Sequence, residues 1–157
     1  MAGRVLSPRL HAGGLFLGER VRIAEKLVWD RMKRARPLTV VFNRHEDRVT
    51  PGIPDVSYSA YGRRGWIELK WLDCLPREFQ ASILRPAQRT FLLQDYKSGG
   101  HGSWVLLGLE GAAVMIPADQ ISELNGGPGD GLLEACPWSP WSQLTALLAD
   151  CLSRGSS

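Results

Sequence analysis

Three cysteines and three histidines are all that this 157-residue chain carries of the side chains that build soft metal sites. Cys74, Cys136 and Cys151 lie far apart and are odd in number, which excludes a CxxC site and a full disulfide framework and leaves reduced, partly buried thiols. His11, His45 and His101 share no metal-ligand spacing, and His101 sits in a glycine-rich turn, so no catalytic role falls to any of them. Long apolar runs are missing too. No stretch approaches the roughly 18 residues of a membrane helix, and Leu15-Phe16-Leu17 is too short for the apolar region of a signal peptide, so a cytoplasmic protein with no membrane partner is expected. The segment Gly126-Gly127-Pro128-Gly129-Asp130-Gly131 lacks the Lys-Ser/Thr of a Walker loop and reads as a flexible connection.

What is present is an ordinary globular composition: 44% hydrophobic residues, six Trp and 22% charged residues. The length suits one compact domain, and hence one site. A net charge of +3 and a pI near 9.0 permit an anionic partner without requiring one. The distribution is more telling. Arg31, Lys33, Arg34 and Arg36 crowd the end of an expected helix, Arg44, His45 and Arg48 lie in or beside the next loop, and Arg63-Arg64 are expected in a turn. The first cluster also suits a helix C-terminal dipole; a substrate-binding face would gather all three.

Residues 1–17 are rich in Gly and Pro and read as a loose arm, leaving 18–157 as a single domain. Val21, Ala24, Val28, Met32 and Ala35 recur at helical spacing, predicting a helix from about Gly18 to Ala35 that Pro37 stops. Strands are expected over Leu38–Phe42, Val56–Tyr61 and Trp66–Leu72, the last two joined as a hairpin through Gly62-Arg63-Arg64-Gly65. Pro86 opens a second helix that runs to about Lys97. Strands Trp104–Leu109 and Ala113–Ile116, a short helical piece at 119–124 and a last helix from about Pro140 to Leu152 follow. This order predicts an α/β fold, a mixed sheet flanked by helices.

The chemistry gathers in Gly52-Ile53-Pro54-Asp55-Val56 and Trp66-Ile67-Glu68-Leu69-Lys70-Trp71. Strand side chains alternate, so Glu68 and Lys70 share one face while Ile67, Leu69 and Trp71 share the other. Asp55, at the start of the neighbouring strand, meets Glu68 if the register sets the strand ends opposite one another. Two carboxylates beside a lysine are what metal-assisted phosphodiester hydrolysis uses: oxygen ligands for a hard cation and a charge to orient water or neutralise phosphate. At about 100° per residue Glu25 falls about 40° from Val21 on the apolar side of the first helix, whereas Glu19 and Asp30 fall on the other side. A carboxylate on a buried stripe is costly unless paired or metal-bound. Gln88, one turn before Phe91 and Leu92, also faces inward, where its amide can bond a carboxylate or cap a buried backbone group. Singly, each feature has an ordinary structural reading: an Asp in a turn, a solvated Glu-x-Lys pair. Their combination favours a site.

Gly-Ile-Pro-Asp, a short hairpin and Ile-Glu-Leu-Lys together resemble the PD-(D/E)XK nuclease signature, most like the stand-alone VRR-NUC-like branch of phages and bacteria, which is similar in turn to Holliday junction resolvases. The resemblance covers about Gly18 to Leu109, leaving 111–157 as an addition whose Trp138–Trp141 region suits packing or dimer contacts. It implies a restriction-endonuclease-like core, and Mg²⁺ or Mn²⁺ held by Asp55, Glu68 and the Leu69 backbone carbonyl, with Lys70 as the motif lysine. Glu25 would be the helix glutamate and a further metal ligand, with Glu19 as competitor, and Gln88 would belong to the second helix.

The function so implied is cleavage of DNA, with Arg34, Arg44, Arg48, Arg63 and Arg64 as the candidate contacts to it. A junction-resolving homodimer on branched DNA is the sharpest form, because symmetric cuts need two sites. A repair nickase of the same fold shares every residue. A non-catalytic nucleic-acid-binding module would not need acidic groups facing a polyanion, and a carboxylate-pair glycosidase would not need the lysine.

Overall fold

The computed structural model describes residues 17–46, 49–99 and 102–154. Its centre is one mixed sheet of six strands in the order β1-β2-β3-β4-β5-β6: Val40–Arg44, Val56–Ala60, Arg63–Trp71, Trp104–Gly108, Ala112–Pro117 and Trp138–Pro140. Only β3 and β4 run parallel; the other neighbours are antiparallel. The parallel step needs a crossover, and the chain between β3 and β4 supplies it with helix α2, Pro86–Lys97.

Helices cover both faces. On one side α1 (Leu17–Arg34) and α5 (Leu144–Arg154) bury Val28, Met32, Leu147 and Leu148 against Ile67, Leu69 and Leu106. On the other, α2 and the short helices α3 (Ile121–Leu124) and α4 (Gly131–Ala135) bring Leu92, Ile121 and Leu132 onto Val105, Leu107 and Ile116. Strand β4 is buried along its whole length, and each of its Val or Leu side chains contributes about 1.5–3 kcal/mol by leaving water. The expected mixed sheet between helices is the observed one.

Several local expectations differ. Val21 is 48% exposed, as are its neighbours Ile23 and Leu27 in part, because the first turns of α1 carry no residue of the core and the stripe is buried from Val28 onward. Leu38 is 97% exposed and β1 starts two residues later. The β2–β3 connection is a two-residue turn at Tyr61-Gly62, both with positive φ (52° and 76°), flanked by the pair Ala60 and Arg63. That is the geometry of a type I′ hairpin turn, matched to strand twist. Arg63 and Arg64 are therefore the first residues of β3 rather than a turn. Gly65 lies within β3, where a side chain would run into the Gly102 carbonyl. Strand β6, helix α4 and a turn of 3-10 helix at Ala81–Ile83 were not expected. All three cysteines are free, Cys74 exposed and the other two buried. The expected arm, except for Leu17, and also Arg48, His11 and His101 lie outside the described residues.

Candidate active site

Strand β3 changes partner halfway. From Arg63 to Ile67 it pairs with β2, and from Ile67 to Trp71 with β4. Strand β2 begins at Val56, opposite Ile67, so Asp55 stands level with Glu68 at the point where the strands part. This is the register that brings the two carboxylates to one place. Asp55 Oδ2 accepts the Leu69 amide at 2.9 Å, and the Asp55 carbonyl accepts the His45 amide at 2.7 Å, fixing the residue at both ends. The two main-chain groups of a strand residue point to the same side, so the Leu69 carbonyl opens on the Asp55 side as well. The loop before Asp55 is seated by Gly52: its φ is +92°, and a Cβ there would lie 2.6 Å from the Ala87 carbonyl oxygen at the start of α2.

Glu68 is 1% exposed. Its Oε1 receives the Lys70 ammonium at 2.9 Å and a short hydrogen bond from Gln88 Nε2, while its Oε2 is buried without a hydrogen-bond partner. Gln88 Oε1 in turn accepts the Arg85 backbone amide at 3.0 Å. Both inward roles open to Gln88 in the sequence are thus filled at once: one end of the amide caps the helix and the other holds the carboxylate. Lys70 Nζ also reaches Glu25 Oε1 at 3.5 Å across from α1. Glu19, the competing helix acid, is exposed and forms no ion pair among the described residues, and Asp30 is occupied by Lys26 and Lys33 on the outer face.

Burial, reinforced by the Asp55 charge, pushes the Glu68 carboxyl up to about 7 against the pull of Lys70. Burial also raises Glu25, with Lys70 opposing. For Lys70 burial acts downward, but Glu68, then Glu25 and Asp55, outweigh it and leave the ammonium above its ordinary value. Three acids and one lysine thus share a site in which carboxylates outnumber cations. Among the described residues no three His, Cys, Asp or Glu side chains are grouped to hold a metal ion by themselves. A hard cation needs fewer: one or two carboxylates, a carbonyl and waters suffice for Mg²⁺. Asp55, Glu68 with its unpartnered Oε2, and the Leu69 carbonyl fit that description.

The arginines do not gather on one face. Arg44 lies over the Trp29 ring at 5.5 Å and pairs with Glu46 at 3.7 Å, on the α1 side of the sheet. Arg63 donates to the Arg154 carbonyl at the end of α5, and Arg34 to the Asp30 carbonyl within α1. Arg64 is exposed on the opposite face, in line with Glu68, and is unpaired among the described residues. Arg31 stacks on Trp141 at 4.4 Å, and Trp141 on Trp71, so that tryptophan serves packing while Trp138 is 46% exposed on the edge strand. Arg85 was missed from sequence: it precedes α2 and is close enough to Glu25 for its charge to oppose, weakly, the rise that burial causes. Its position directly before the helix-opening Pro86 was the only available signal.

No family model matches the sequence, and no curated protein matches it. Solved structures do match. One is a Holliday junction resolvase, Hjc, from the archaeal hyperthermophile Archaeoglobus fulgidus, 17% identical over 79% of this chain and 98% of that one, with a TM-score of 0.51. The likeness is one of fold: this chain has the α/β architecture of that resolvase.

Proposed function

We propose that this protein is a metal-dependent endodeoxyribonuclease that hydrolyses phosphodiester bonds in branched DNA, a resolvase-like member of the PD-(D/E)XK nucleases near the VRR-NUC-like branch. The observation that carries the reading is Glu68: a buried carboxylate with one oxygen clamped by Lys70 and Gln88 and the other unpartnered, level with Asp55. A structural ion pair would satisfy both oxygens, because a buried unsatisfied acceptor costs about 1–3 kcal/mol.

Asp55, Glu68 and the Leu69 carbonyl would hold Mg²⁺ or Mn²⁺. When bound, the ion supplies charge to the phosphate in the transition state and acidifies a water. Gln88 keeps the Glu68 carboxylate in one orientation. Lys70 places a cation where negative charge develops on the phosphate, and water-poor surroundings strengthen that effect. Glu25 holds the Lys70 ammonium from the α1 side and so acts through it. The fold of the solved resolvase supports this reading, since the same architecture there belongs to an enzyme of DNA junctions. Symmetric cutting asks for a second site, which we assign to a second copy in a two-fold dimer.

The test is incubation with four-way junction, flap, single-stranded and linear duplex DNA, with Mg²⁺ or EDTA, beside Glu68→Gln. Metal-dependent cutting confined to the junction and absent from the variant is the expected result. Cutting spread over all substrates would make the protein a general processing nickase, and binding without cutting would leave a nucleic-acid-binding module.

A further inference from the structure

The strand face that carries Glu68 continues away from the site as a trough. Successive residues on that face of β3 are Lys70, Glu68, Trp66 and Arg64, and the register sets Ser57 beside Trp66 and Ser59 beside Arg64 on β2, with Asn43 beside Ser57 on β1. Helix α2 walls one side: Gln88 bonds Glu68, Phe91 meets Trp66 edge-on at 5.1 Å, and Asp95 and Ser98 stand beside the Arg64 end. A cavity of about 660 Å³ occupies the outer end of this face, from Trp66 to Arg64, and Trp66 separates it from Glu68 along the strand. Its floor is polar but largely idle. The Asn43, Ser59 and Arg64 side chains make no hydrogen bond or ion pair among the described residues, and the one acid of the wall, Asp95, is taken up by the Ser103 hydroxyl at 2.7 Å. Trp66 is half-buried, held between His45 at 5.1 Å and Phe91.

We propose that this trough binds an unpaired DNA strand leading away from the scissile phosphate, with a base against Trp66 and a phosphate at Arg64. The inference rests on the nuclease reading and narrows its substrate to branched DNA whose strand leaves the duplex beside the cut, as at an opened junction. Three features select a single strand. Two inter-strand steps of about 4.8 Å make a floor about 10 Å across, whereas the major groove of a duplex alone is about 12 Å wide. From Glu68 to Arg64 is four residues of strand, about 13 Å, a reach of only a few nucleotides. Arg63 also lines the cavity but is bonded to the Arg154 carbonyl. Neutral hydroxyls and an amide between an aromatic ring and one arginine that is free among the described residues suit a chain of bases read without sequence, and a duplex face would ask for more free cations than Arg64 supplies.

The experiment measures anisotropy of a labelled oligothymidylate and of a duplex of equal length on the full chain, in Ca²⁺ to prevent cutting, for the wild type, Arg64→Glu and Ser59→Asp. Arg64 is exposed and Ser59 half-buried, and circular dichroism checks that both variants fold. Single-strand binding should weaken at least about fivefold in each, the loss expected when one stacked or phosphate contact goes. Photocrosslinks from 4-thiothymidine should fall within 57–66. Unchanged binding in both variants, crosslinks confined to α1, or a duplex bound as tightly as the single strand would each overturn the trough. The cleavage assay separates the two ideas. Glu68-dependent cutting with the trough overturned sinks this inference alone. Variant-sensitive binding without any cutting sinks the nuclease reading and leaves a single-strand-binding site.

Discussion

Asp55 and Leu69 are joined side chain to main chain: the aspartate Oδ2 takes the Leu69 amide at 2.9 Å, at the place where β2 no longer reaches β3. The aspartate therefore closes an opened strand edge as well as carrying charge. The two duties separate by substitution. Asp55→Asn keeps an oxygen acceptor for the amide and should fold like the wild type while losing at least about 100-fold in metal-dependent cleavage. Asp55→Ala also strands the amide and should cost a further 1–3 kcal/mol or so in urea unfolding. Equal stability in both variants would show that the bond to Leu69 contributes nothing.

Gln88 links the helix start to the carboxylate, so its loss should be felt twice. In Gln88→Leu the Arg85 amide loses its partner and Glu68 Oε1 keeps only Lys70, and unfolding free energy should fall by about 1–3 kcal/mol for the stranded amide. Cleavage should fall with it, because Glu68 is freed to turn. Full activity in a destabilised variant would confine Gln88 to capping.

The raised Glu68 carboxyl gives the metal-free protein a characteristic pH response. Below its ordinary value of 4.5 the carboxyl is protonated in both folded and unfolded chains. Between there and about 7 the unfolded chain gives up a proton that the folded chain keeps, so stability falls as pH rises through this window. Glu25, raised too, acts in the same direction. In EDTA the melting temperature should therefore drop from acid toward neutral pH, and Glu68→Gln should flatten the slope. Mg²⁺ needs the ionised carboxylate, so its stabilisation should be larger above pH 7 than below. A pH-independent Mg²⁺ shift would mean that the ion binds elsewhere.

Gly52 seats the loop that delivers Asp55. Gly52→Ala imposes a disfavoured φ and a clash with the Ala87 carbonyl, costing about 1–3 kcal/mol for the strained conformation. Cleavage should drop more than stability alone explains, read as a lower kcat at saturating Mg²⁺.

Much of this was legible in the residues because strand alternation is strict: once Ile67 and Leu69 are core, Glu68 and Lys70 must share the other face. Helical periodicity likewise turned Glu25 inward, though it could not tell how far the neighbouring layer extends, and so Val21 was expected in a core that begins only at Val28. The hairpin was misplaced because two adjacent arginines look like a turn and a tyrosine does not, whereas the structure holds Tyr61 at positive φ. Strand β6 ends on Pro140 at the sheet edge, where proline is tolerated but where composition gives no sign of a strand. The partners of each arginine are tertiary facts: Trp29, Arg154 and Trp141 are remote in sequence from the cations they meet.

The change of partner along β3 also divides the duties of Leu69. Its side chain lies in the core among Val28, Met32 and Leu106, while its amide is bonded to Asp55 and its carbonyl opens on the same side. A ligand drawn from the main chain is beyond the reach of mutation. Position 69 is therefore free to change identity among apolar residues of similar volume, constrained by packing alone, while the oxygen that the proposed function would draw from it stays constant through every such exchange.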